Sequence, residues 1–205
     1  MNKPLTFLMA LTFLFLFGGI AFADDSKDEP AVIDPKVMEM IKAFAEKDSK
    51  KLYDLNLPLA QEGDQFAQWN LGNYYLRGEG VEQDFKQAFK WYALSAKQGH
   101  KRAQFDLGVM YDNGEGIPID HEEAFKWFLL SGKQEFSRAQ KVLGGMYEDG
   151  RGVEKDYVLA HMWRNLAGQK DTVGRLEKKM TPEQIEKAKE MARNWKGNFV
   201  DGNEE

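Results

Sequence analysis

The sequence predicts an all-α fold, a right-handed α-solenoid of antiparallel helix pairs with capping helices at both ends. Three observations carry this: a gapless 36-residue repeat, helical spacing of the apolar columns, and glycine and aspartate at fixed offsets between them. Residues 65–100, 101–136 and 137–172 align without insertion. Eleven columns are identical in all three: Ala67/Ala103/Ala139, Gln68/Gln104/Gln140, Leu71/Leu107/Leu143, Gly72/Gly108/Gly144, Tyr75/Tyr111/Tyr147, Gly78/Gly114/Gly150, Gly80/Gly116/Gly152, Asp84/Asp120/Asp156, Ala88/Ala124/Ala160, Trp91/Trp127/Trp163 and Leu94/Leu130/Leu166. Ordinary residue frequencies leave fewer than about one such triple match by chance.

Each column has a physical role in a helix–turn–helix unit. Ala67, Leu71 and Tyr75 recur at i, i+4 and i+8 on one face of a first helix. Ala88, Trp91 and Leu94, with Tyr92 beside them, are expected to form the buried stripe of a second. Small residues at Ala67, Gly72 and Ala88 let the helices approach and leave room for the Trp91 ring. Gly78 suits a left-handed position just past the first helix, and Gly80 turns the chain again. Asp84 is placed as the N-cap of the second helix, with Gln87 and Glu123 expected to complete capping boxes in the first two repeats.

One helix pair cannot bury its own apolar face, so the pairs must stack and the ends must be capped. Upstream, Asp34-Pro35 reads as an N-cap with proline at N1, followed by a stripe of Val37, Ile41 and Phe44. Lys51 to Gly63 is a degenerate partial repeat, expected to kink at Pro58. Downstream, Thr181-Pro182-Glu183-Gln184 reads as a capping box, and Ile185, Ala188, Met191, Ala192 and Trp195 line one face of a closing helix over 181–196. The helical domain so defined spans 34–196, and 197–205 is expected to fray.

The amino terminus has a different composition. Met1 to Lys3 is a positive start, Leu5 to Ile20 is uncharged, and Ala21-Phe22-Ala23 is a small-x-small site before Asp24, so residues 1–23 read as a secretory signal peptide. Sixteen helical residues reach about 24 Å, short of a hydrocarbon core of about 30 Å, which argues against a permanent anchor. Residues 24–33 read as a flexible lead-in. The expected location is periplasmic or secreted, with no integral membrane segment after cleavage.

The segments AQWNLGNYYLRGEGVEQDFKQAFKWYALSAKQG, AQFDLGVMYDNGEGIPIDHEEAFKWFLLSGKQ and AQKVLGGMYEDGRGVEKDYVLAHMW resemble the Sel-one-like repeat, a solenoid relative of the tetratricopeptide repeat. The closing MTPEQIEKAKEMARNW is similar to the last helix of small exported members. The resemblance implies a superhelix that presents a concave surface to other proteins. It implies no particular partner, since exported members include envelope scaffolds, regulators and immunity proteins.

Chemistry is scarce by comparison. There are no cysteines, which excludes disulfides, thiolate metal sites and a cysteine nucleophile, and a net charge of −5 disfavours nucleic acid as partner. No serine opens an S-x-x-K or sits in G-x-S-x-G. His100, His121 and His161 occupy different repeat positions and do not converge on a His₃ site, while His161 stands where Phe89 and Phe125 stand and reads as a packing residue. The acidic loops around Gly114 and Gly150 lack calcium-loop spacing, and Gly78-Glu79-Gly80 lacks a phosphate-binding context. No catalytic residue, cofactor or metal is expected.

Variation between repeats is the remaining signal, because a binding face escapes the rules that fix the core. Trp69/Phe105/Lys141 and Asn73/Val109/Gly145 lie roughly 200° or more from Ala67 on the first helices. Trp69, Asn73, Arg77, Phe105, Val109, Asn113 and Lys141, with Asn70 and Asp106 beside them, are therefore the candidate protein-binding residues. The alternative is that Trp69 and Phe105 pack against adjacent helices. The expected function is a non-enzymatic module that binds a protein or peptide in a concave groove. An immunity or inhibitor protein that occludes a secreted toxin or hydrolase is the second reading, and a periplasmic hydrolase the third.

Overall fold

The computed structural model describes residues 34–195, and all of the regular structure among them is helical. The signal peptide predicted over 1–23, the lead-in expected over 24–33 and the tail expected over 197–205 lie outside the described residues. The helices are α1 (Pro35–Ala45), α2 (Ser49–Gln61), α3 (Gln65–Arg77), α4 (Phe85–Lys97), α5 (Lys101–Asn113), α6 (His121–Lys133), α7 (Ser137–Asp149), α8 (Tyr157–Leu166), α9 (Lys170–Glu177) and α10 (Pro182–Arg193). They fall into two compact units, residues 1–91 and 92–205, whose boundary runs through α4. None of these helices is long and apolar enough to cross a membrane.

In the first unit α1 packs on α2 and α2 on α3. Asp34 caps α1 as the sequence predicts, accepting the Lys36 amide at 2.6 Å. The inward face differs from the predicted stripe. Met40 and Ala43 are buried while Phe44 is 51% exposed. Helix α2 starts at the Asp48 cap and runs through Pro58 to Gln61. Its core joins Ala43, Leu52, Ala60, Ala67, Leu71 and Tyr74, with Trp91 packed at the margin.

In the second unit α5, α6, α7 and α8 pack successively, and α9 and α10 both close onto α8. The Thr181 capping box is present, Gln184 N–H donating to Thr181 Oγ1 at 3.3 Å and Thr181 N–H to Gln184 Oε1 at 2.9 Å. Helix α9 is an element the sequence reading did not mark. It sits where a fourth repeat would begin, and it buries Leu176.

The repeat turns follow the predicted glycine logic. Gly78, Gly114 and Gly150 end the first helices at φ of 69°, 74° and 73°. Gly80 and Gly152 are also left-handed, and a Cβ on either would collide with backbone: the Ser49 carbonyl for Gly80, the His121 carbonyl for Gly152. The second-helix caps work differently from the expected capping boxes. Asp84, Asp120 and Asp156 accept first-turn amides, but their own N–H groups donate to Tyr75, Tyr111 and Tyr147 carbonyls at 2.9, 2.9 and 3.0 Å. The cap amide is thus already satisfied, and the Glu123 carboxylate pairs with Lys126 instead.

The second-helix stripe keeps its alanines and Tyr92 but excludes two of the expected leucines. Ala88, Ala124 and Ala160 are buried as predicted, but the fully enclosed ring is Tyr92 in one repeat and Phe128 in the next, with Trp163 alone of its column at 0% exposure. Gly108 leaves room for Phe128, whose Cε1 would lie 2.8 Å from an added Cβ. Leu94 and Leu130, placed in the stripe by sequence, are 47% and 45% exposed.

Candidate protein-interaction surface

The identical glutamine column, to which sequence reading gave no role, acts as a tether between successive helices. Gln68, Gln104 and Gln140 are buried, and their side-chain amides donate to the carbonyls of Ala60, Ala96 and Gly132, each at 3.2 Å. Each partner lies eight residues earlier, at the end of the preceding helix. That carbonyl already accepts one backbone amide, from Gly63, Gly99 or Glu135, so the glutamine adds a second hydrogen bond and ties the next first helix to the end of the preceding one. A second buried polar contact, Asn70 Nδ2 to Asn56 Oδ1 at 3.0 Å, joins α3 to α2. Asn70 is therefore a structural residue.

Of the other candidate residues in the first unit, Trp69 is half-buried, and its carbonyl accepts the Asn73 side-chain amide at 2.9 Å. Arg77 is exposed and pairs with Glu79 at 3.7 Å. On the same helix burial pushes the Tyr74 hydroxyl up to about 12; Tyr75 is pushed up to about 12 by burial and by its 2.8 Å hydrogen bond with Tyr53.

In the second unit Phe105 follows the packing alternative. Its ring lies 5.5 Å from Phe128 and 5.3 Å from Phe136, centroid to centroid, at the edge of the core. Val109 packs against the same core. Asn113 and Lys141 are exposed, with Asn113 Nδ2 donating to Glu115 at 2.9 Å. The candidates that reach solvent most fully are thus polar, Arg77, Asn113 and Lys141, while the apolar ones are partly enclosed.

Two carboxylates at matched positions gather cations in the second unit, Asp112 from the next repeat and Glu148 from its own repeat and the segment after it. Asp112 receives His121 at 2.8 Å and Arg151, one repeat on, at 2.7 Å. Glu148 receives Arg164 at 2.6 Å and Lys179 at 3.1 Å, and these cations hold its carboxyl below the usual range despite burial acting the other way. The signal for these contacts was present in sequence as acids at matched positions of successive first helices.

The three histidines have separate surroundings. His100 is a buried N-cap whose Nδ1 accepts the Ala103 amide at 3.3 Å; burial first, then Arg102 and Lys101, push it down to about 4. His121 is held by Asp112. His161 is fully enclosed, with Nε2 3.1 Å from Glu177. Among the described residues no three His, Asp or Glu side chains cluster as metal ligands.

Comparison with known proteins agrees with the repeat boundaries. The family model described as Sel1 repeat matches residues 65–100, 101–136 and 137–171, more than half of the chain. The crystal structure of a Sel1 repeat protein from Oxalobacter formigenes is 28% identical with a TM-score of 0.62, over 67% of this chain and 55% of that one. The structure of c5321, a protective antigen present in uropathogenic Escherichia coli strains displaying an SLR fold, is 25% identical with a TM-score of 0.48, over 78% of this chain and 44% of that one. The chain thus spans about half the length of these relatives. No curated protein matches. With its helix pairs, glycine turns and glutamine tethers in the matched register, this chain belongs to the Sel1 repeat family.

Proposed function

We propose that this chain is an exported, non-enzymatic interaction module that binds a protein or peptide through the first helices of its repeats. The observation that carries the reading is the division of labour between columns. Identical positions such as Ala67, Gln68 and Leu71 are consumed by packing, whereas the differing positions Arg77, Asn113 and Lys141 present three different polar groups to solvent. A surface whose scaffold repeats while its exposed chemistry changes is suited to reading an irregular polypeptide. Trp69 and Asn73 supply a half-buried aromatic beside a fixed amide on the same helix. Phe105 and Val109 supply the apolar floor under the second repeat.

Photo-crosslinkers placed singly at Arg77, Asn113 and Lys141, with matched positions Lys90 and Lys126 on the second helices as controls, test the reading in the native envelope. Products from the first-helix positions, and one common partner among them, are expected. Crosslinks confined to the second-helix positions would move the interaction to the other face. The mass of the exported protein's amino terminus tests cleavage between Ala23 and Asp24.

A further inference from the structure

The cap of α5 is chemically unlike its counterparts. At the matched position before each first helix stand Asp64, His100 and Phe136. Asp64 accepts the Ala67 amide through a carboxylate at 2.7 Å, and Phe136 makes no side-chain cap bond. His100 caps α5 through the lone pair of Nδ1, which accepts the Ala103 amide, and its ring is buried.

An imidazole can accept there only while Nδ1 is unprotonated. Protonation converts the acceptor into a donor facing another donor, and it places a cation at the positive end of the helix dipole. The charged groups around the ring add to this. Lys101 and Arg102 on its own helix act on it directly. The end of α6 lies alongside, since Gln134 donates to the Gly99 carbonyl at 2.9 Å, and it carries half-buried Lys133 and exposed Glu135. The end of α4 carries exposed Lys97. Cations outnumber the one carboxylate.

We propose that His100 makes the second repeat an acid-sensitive joint, in which protonation of the buried cap releases the first turn of α5. The other two repeats lack this imidazole cap, because Asp64 accepts the Ala67 amide through a carboxylate oxygen and Phe136 makes no side-chain cap bond. The direction follows from the ring's folded value of about 4 against an ordinary 6.5. The opened turn binds a proton that the closed turn refuses, so the closed state is fully favoured above 6.5 and loses ground as pH falls through about 4. Opening should grow about tenfold per pH unit across that window and level off near about 300-fold.

The test is amide hydrogen exchange of Arg102, Ala103 and Gln104 between pH 7 and 4, corrected for intrinsic rates, together with an NMR titration of the His100 ring in the full chain. Protection in the native protein should fall with pH while the Ala67 and Ala139 regions hold. His100→Asn, which keeps a neutral acceptor at every pH, should be flat, and His100→Asp should be flat down to about pH 5 and serves if the asparagine variant does not fold. A ring that titrates at 6.5 in the folded chain, or an equal loss of protection in either variant, would overturn the proposal.

Discussion

Gly152 offers a sharp test of how the repeats are joined. Its φ is 70°, and an added Cβ would collide with the His121 carbonyl and lie 3.0 Å from the Glu122 amide nitrogen. Both the turn and the start of α6 are backbone, so neither side chain rotation nor local repacking relieves the contact. Gly152→Ala therefore combines a left-handed alanine, about 1–2 kcal/mol, with overpacking of about 1–3 kcal/mol, for a loss of roughly 2–5 kcal/mol. Gly145, in the body of α7, is the control: nothing lies within 4 Å of its added Cβ, and its φ is not positive. Gly145→Ala should stabilise by about 0.5–1 kcal/mol through helix propensity alone. Urea denaturation reads both, and with a slope of about 2 kcal/mol/M the two midpoints should separate by about 1–3 M in opposite directions from the native value. A Gly152→Ala midpoint indistinguishable from the native one would mean that the turn does not dock on the preceding repeat, and the account of repeat stacking in the second unit would fail.

Replacing Trp163, fully buried and edge-on to Trp195 at 4.9 Å, by alanine should cost about 3–5 kcal/mol, and replacing half-buried Trp127 less; chemical denaturation of both variants ranks them. Gln140→Ala removes the buried tether to the Gly132 carbonyl, which keeps its bond from the Glu135 amide, and should cost about 0.5–1.5 kcal/mol, measured the same way, whereas loss of a solvated amide would cost almost nothing. The Glu177 carboxyl is held below its usual range first by its hydrogen bond from His161 and then by Lys189. Its contribution is present above its ordinary value of 4.5 and is lost as pH falls through the lowered one. His161→Phe, which restores the residue type of Phe89 and Phe125, should move the Glu177 titration upward by NMR and flatten that acid loss.

The repeat was legible in sequence because packing between identical units leaves identical residues, and the glycine turns were legible because a left-handed φ has so few occupants. Identity alone does not say which way a side chain points. On a helix of about 100° per residue the buried arc of α4 centres on Ala88, Tyr92, Ser95 and Ala96, and Leu94 lies about 120° from Ala88, outside it. Recurrence is therefore not burial: Leu94 and Leu130 are exposed, while Leu166 of the same column packs against the core. The glutamine tethers were hidden for a different reason: their partners are backbone carbonyls, which leave no trace in a side-chain pattern. The same distinction bears on the candidate surface. Trp69 and Phe105 share a column, yet Phe105 is braced by Phe128 and by Phe136, and Phe136 stands where the earlier repeats have Asp64 and His100. Phe136, standing where the earlier repeats have polar caps, thus supplies a ring against Phe105, so the surroundings of one column are set repeat by repeat. Function in this chain must be sought repeat by repeat, and the polar groups at Arg77, Asn113 and Lys141 are where that search begins.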